Sequence, residues 1–178
     1  MTKASTTGHV RQALREATTE DHRQVDSIFT GYDLRSRDSY TAFLTAQARA
    51  LGTLEALARP EAPRLPLLVQ DLAALGSACP EPLPLTDAGT DGFDWGLRYA
   101  LEGSRLGGAM LARQVGDGLP KAYLSAAHGK GEWIAFQRAL DGAAEEGGEG
   151  WLDDAVQGAR AAFALFARSG ADVAPVHG

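Results

Sequence analysis

Two groups of residues in this chain have the types and spacing to do chemistry: an early histidine, His22, and a later run of glycines, Gly96, Gly103, Gly107 and Gly108. Arg15, Thr18, His22 and Phe29 recur at intervals that return to one side of an α-helix. Val10, Leu14, Ala17, Val25 and Ile28 flank them, which puts the imidazole on the shoulder of an apolar face. Asp26, one turn on, can orient the ring and fix which nitrogen is free. No second His, Cys or carboxylate stands at a zinc-like spacing, and His9, His128 and His177 lie in terminal or loop-like contexts.

The glycines sit inside a helical pattern, Tyr99 to Arg113. Each interior glycine costs about 1 kcal/mol relative to alanine, so Gly103, Gly107 and Gly108 forfeit roughly 3 kcal/mol of a total stability of about 5–15. Gly96, Ala100, Gly103 and Gly107 step by four, three and four, which makes a strip of bare backbone along one face. A neighbouring helix or a flat ligand can lie against such a strip, and spacing alone leaves both open. A one-histidine site suits haem iron, because the porphyrin supplies the equatorial ligands. Arg15 stands about 10 Å along the helix from His22, a suitable reach for a haem propionate.

These residues carry a family resemblance. LREATTEDHRQVD at Leu14 to Asp26, with YALEGSRLGG at Tyr99 to Gly108, resembles the proximal and distal helices of haem oxygenases, particularly the bacterial biliverdin-forming type found beside bacteriophytochromes. A weaker likeness runs through YLSAAHGKGEWIAFQRALD and AFALFARSG, so it covers most of the chain. The resemblance implies a haem held between a proximal helix and a kinked distal one. His22 would be the axial ligand of the iron, and Asp26, standing where the family often has Glu, would orient its ring. Arg15 and Tyr99 would hold propionates, with Thr18 beside them. Gly103, Gly107 and Gly108 would let the distal backbone lie on the ring. Ser104 stands where mammalian members carry a catalytic Asp; bacterial members share EGS here, with ordered water as the implied proton carrier. Ser104 would then be a lesser catalytic participant beside Gly103 and Gly107.

The implied reaction is O2-dependent opening of haem at a meso carbon to biliverdin, CO and ferrous iron, with haem both cofactor and substrate. Electrons must come from outside, since there is no dinucleotide fingerprint and no cysteine cluster for an iron–sulfur centre. A ferredoxin or flavin reductase is the implied donor, with Arg11, Arg15 and Arg23 as its candidate docking patch, and a bacteriophytochrome is a plausible recipient of product. Two other readings stay open: a haem carrier or sensor without turnover, and a haem-free protein that kept only the fold.

The elements that must position these residues are helical, because no stretch alternates apolar and polar residues as a strand would. The expectation is an all-α single domain over 1–178, with loose termini at about 1–6 and 171–178. A first helix is predicted from about Thr7 to Phe29, with Gly31 following in the C′ position, and a second after Ser36 to Ala58, carrying Tyr40, Phe43, Leu44, Gln47, Leu51 and Leu54. Six prolines between Arg59 and Pro84 leave a short helix, Leu67 to Leu75, and a connector. The glycine-bearing helix is capped by Asp91, with Asp94 placed as in a capping box, and stops near Gly116 and Gly118. A short helix near Lys121 to Ala127, one from Glu132 to Glu145 and a last from Trp151 to Ser169 complete the chain.

A net charge of −6 argues against general binding to nucleic acid or anionic membranes. With no leader-like apolar run and no stretch of about eighteen apolar residues, the expected location is the cytoplasm. Cys79, alone, can form no internal disulfide, in keeping with a reducing compartment.

Overall fold

The computed structural model describes residues 8–173. All regular elements among them are α-helices: α1 His9–Thr30, α2 Arg37–Ala58, α3 Leu65–Ala74, α4 Asp91–Ala112, α5 Glu132–Gly147 and α6 Trp151–Val173. The all-α expectation holds, while Thr7 and the termini 1–7 and 174–178 lie outside the described residues. α6 is central, packing along α4, α1 and α2. Phe43, Leu44, Leu51, Leu54, Leu68, Leu72 and Leu97 fill the main core beside it. Each such side chain contributes roughly 1.5–3 kcal/mol on burial.

Several local expectations are corrected by tertiary contacts. Thr90, not Asp91, caps α4, its hydroxyl accepting from Phe93 N. Asp91 is engaged elsewhere, accepting the Trp151 indole N–H at 2.8 Å. α6 does not stop at Ser169 but runs on to Val173. Ser169 Oγ donates to the Ala46 carbonyl and Tyr32 OH to the Gly170 carbonyl, so neighbouring elements hold that turn in place. The expected helix at Lys121 to Ala127 is only a turn. The buried Asp71 carboxylate accepts the Ala122 and Tyr123 N–H groups at 3.2 and 2.9 Å and ties that segment to α3. Gly31 does follow α1, but with φ −70° it is not a left-handed cap. Ala17, expected beside the core, is exposed.

The glycine strip of α4 divides in two. At Gly96 a Cβ would collide with the Ala155 carbonyl oxygen of α6, at Gly92 with that of Trp151, and Gly158 of α6 lies equally close to Phe93. This half is a packing seam. Gly96→Ala should therefore lower stability by about 1–3 kcal/mol through overpacking, although alanine is the better helix former. A urea-unfolding midpoint checks it.

Candidate functional site

Beyond the seam, α4 diverges from its neighbours and opens a cavity of about 1170 Å³, bordered by α1, α2, α4, α5 and α6. That exceeds the roughly 300–1,000 Å³ usual for small-molecule pockets. Arg15, Thr18, His22, Asp26, Tyr99, Gly103, Ser104, Gly107 and Gly108 all border it. Residues about eighty positions apart in sequence are thus brought to two facing walls.

On the α1 wall the His22 side chain is 63% exposed, with Nδ1 3.4 Å from Asp26 Oδ2. The edge of its ring meets Phe163 at 5.7 Å and 90°. Asp26 favours the tautomer with the proton on Nδ1, which leaves the Nε2 lone pair free as a ligand. Thr18, in contrast, is 3% exposed and donates its hydroxyl to the Leu14 carbonyl at 2.7 Å, which removes that proton from any ligand. Arg15 lies near Tyr99, whose phenol burial pushes up and the Arg15 charge pulls down. The net rise keeps Tyr99 protonated, and so a donor, at neutral pH.

On the α4 wall, a Cβ built at Gly103 or Gly107 would meet nothing within 4 Å. Among the described residues no helix packs there, and the bare backbone faces open space. Gly108 also borders the cavity, but its open side rests on the Leu124 carbonyl, 3.3 Å from where a Cβ would stand. Ser104 Oγ donates to the Leu101 carbonyl at 3.1 Å and accepts from Arg64 Nη2 at 2.5 Å.

Gln47, Arg64 and Tyr123 are among the cavity residues that have no counterpart in the expected site set. Tyr123 OH donates to Gln47 Oε1 at 2.7 Å, and the Arg64 guanidinium lies over the Tyr123 ring at 5.1 Å. Gln47 had only the helical spacing of a core-facing residue. Arg64 lies among prolines, and its placement depends on Glu55, which accepts the Arg64 and Leu65 N–H groups at 2.7 and 3.0 Å. Tyr123 is positioned through Asp71. These constraints join different elements, those on Tyr123 across more than fifty residues, so no single-helix pattern could have revealed them.

Of the arginines considered for a docking patch, Arg11 pairs with Asp141 at 3.3 Å and Arg23 with Glu20 at 2.8 Å. Among the described residues no group of three or more His, Cys, Asp and Glu side chains converges as a metal site, and no helix is long and apolar enough to cross a membrane.

No family model matches the chain. Over 109 residues it is 33% identical to a heme oxygenase of Xanthomonas campestris pv. campestris (strain 8004), a match covering 58% of this chain and 64% of that protein. The match thus spans less than two thirds of the relative's length. The fold is similar to that in the crystal structures of the NO- and CO-bound heme oxygenase from Neisseria meningitidis, with a TM-score of 0.78 and 24% identity over 95% of this chain and 98% of that one. The chain therefore has the haem oxygenase fold.

Proposed function

We propose that the chain is a haem oxygenase of the bacterial, biliverdin-forming type, taking haem as cofactor and substrate, O2 as co-substrate and electrons from a separate donor. The observation that carries this reading is the pairing of a free imidazole nitrogen on α1 with side-chain-free backbone at Gly103 and Gly107 across one cavity of about 1170 Å³. A flat macrocycle fits that arrangement: one wall offers a neutral nitrogen ligand, the other offers close approach, and Arg15 and Tyr99 offer a cation and a phenol for carboxylates. The relatives named above support the same reading.

When bound, haem supplies the metal at which O2 is reduced and the meso carbon that is oxidised. The protein's own part is to bind, orient and protect. His22 holds the macrocycle from one side, and Asp26 sets its tautomer. As a neutral ligand, the His22 imidazole would donate less electron density to a bound metal than a thiolate would. The backbone at Gly103 and Gly107 leaves room for a small ligand while closing that face to larger ones. Gln47, Ser104 and Tyr123 border the same space with polar atoms able to hold water as a proton source. Thr18 acts by packing, since its hydroxyl is engaged with its own helix.

A ferredoxin or flavin reductase would supply electrons, a bacteriophytochrome could receive the bilin, and the cytoplasm is the fitting location. The test is aerobic turnover of the haem complex with ascorbate or a ferredoxin system: loss of the Soret band with growth of bilin absorption supports the reading. A stable complex without turnover would make the chain a haem carrier or sensor instead. Tyr99→Phe combined with Arg15→Gln should weaken haem affinity by about 1–3 kcal/mol, from the loss of one hydrogen bond and one solvent-screened charge. Haem titration followed by absorbance reads it.

A further inference from the structure

All three tryptophans of the chain lie in one region of the fold, where α4, α5 and the start of α6 come together. Trp133 and Phe136 border the main cavity from α5. Their rings stack at 5.8 Å and 23°, and Phe136 in turn lies 6.1 Å from the ring of Trp95 on α4. Trp95 borders a second groove of about 640 Å³, whose lining also includes Trp151 and the exposed Asp91. A row of aromatic rings thus runs from the cavity wall to that groove. At its far end the Trp151 indole N–H donates to Asp91 Oδ2 at 2.8 Å.

An indole gives up an electron far more readily than a benzene ring, and its N–H proton leaves easily once it has done so. Phe136 is therefore a close-packed bridge, while the three indoles are stopping places. Among the described residues, Trp151 is the tryptophan whose indole proton has a carboxylate to go to. Trp95 does not hold a positive charge, because the Arg98 guanidinium stands 4.9 Å over its ring. The phenols on the cavity wall are poorer ends: Tyr123 OH donates to the neutral amide of Gln47, and Tyr99 has the Arg15 cation beside it. We propose that Trp133, Trp95 and Trp151 form a path that drains an oxidising equivalent from the cavity to the Asp91 groove. The inference rests on the haem reading and extends it to the case in which peroxide reaches the loaded site. Hydrogen peroxide takes two electrons from that site and, with two protons from solvent, becomes two water molecules. One electron is restored along the path: Trp133 gives it to the site and regains one from Trp95, which regains one from Trp151. Trp151 ends as a neutral indolyl radical with its proton on Asp91 Oδ2, and the site is left one electron short.

The test mixes the ferric, haem-loaded protein with hydrogen peroxide, freezes it for electron paramagnetic resonance, and maps oxidised residues by mass spectrometry. The parent should give the signal of a neutral indolyl radical. Trp151→Phe should lose it, and Trp133→Phe and Trp95→Phe should replace it with a tyrosyl signal from the cavity wall. Asp91→Asn removes the proton acceptor and should also lose the neutral-radical signal. The mapping needs no variant and so does not depend on how one folds. Added oxygen should accumulate on Trp151, only 4% exposed, ahead of the half-buried Trp133 that borders the cavity. In the haem-free protein, peroxide should oxidise the exposed Met110 and leave all three tryptophans intact. No indolyl signal in the parent, a signal unchanged in all four variants, or oxidation centred on Trp133 would overturn the path while leaving haem binding intact. Failure of the parent protein to take up haem would overturn the haem reading and the path together.

Discussion

Replacing Gly107 with leucine should leave the haem-free protein as stable as the parent, or more so, and abolish the proposed haem oxygenase turnover. Leucine is a better helix former than glycine by about 0.8–1 kcal/mol. A Cβ at this position meets no protein atom within 4 Å, so the helix has no packing reason to resist. The thermal midpoint of the variant should therefore hold or rise. Its side chain would project into the open space beside α4, where the proposed reading seats a small ligand against the macrocycle. Turnover should fall by at least about 100-fold, equivalent to about 2.7 kcal/mol in the transition state. The spectrum of haem held through His22 should persist, and ferrous CO and O2 binding should be lost. Retained turnover would remove the case for close approach. The opposite pattern at Gly96 sharpens the test, since there the added carbon harms stability.

His22→Ala is the second large effect. It removes the nitrogen proposed to fix the macrocycle and should eliminate turnover, again by about 100-fold or more. The side chain is well exposed to the cavity and its loss empties no core site, so far-UV circular dichroism and the unfolding midpoint should stay near those of the parent. Added imidazole should restore the axial-ligand spectrum, because a small base can re-enter the vacated place. Asp26→Asn keeps the ligand but weakens its orientation, with an expected loss of about 10–100-fold in haem affinity. An unchanged ferric spectrum in His22→Ala would assign the iron to another side chain.

The contrast between Gly96 and Gly107 shows how far a pattern can be read. Their four-three-four spacing identifies a bare strip because helical geometry is local and periodic. Whether that strip meets a helix or empty space is set by where α6 diverges from α4, and spacing carries no such information. The stripe on α1 behaves in the same way. Periodicity puts His22 and Thr18 on one side of the helix, but Thr18 turns its hydroxyl to the Leu14 carbonyl while His22 stays free. Thr90, not Asp91, caps α4 because the Asp91 carboxylate is engaged by Trp151, sixty residues away.

By itself the sequence determined the all-helical class, the position of the cores of all six helices, and the two stretches, Leu14 to Asp26 and Tyr99 to Gly108, that face each other across the cavity. These follow from the i, i+3, i+4 recurrence of side chains, which is a property of the single helix. The tertiary structure decided which glycines pack and which leave room. It also decided that residues 121–127 form a turn held by Asp71, and that Gln47, Arg64 and Tyr123 share a wall of the cavity with Ser104. Those outcomes depend on buried polar groups finding partners across long sequence separations, and that choice is made only when the helices dock.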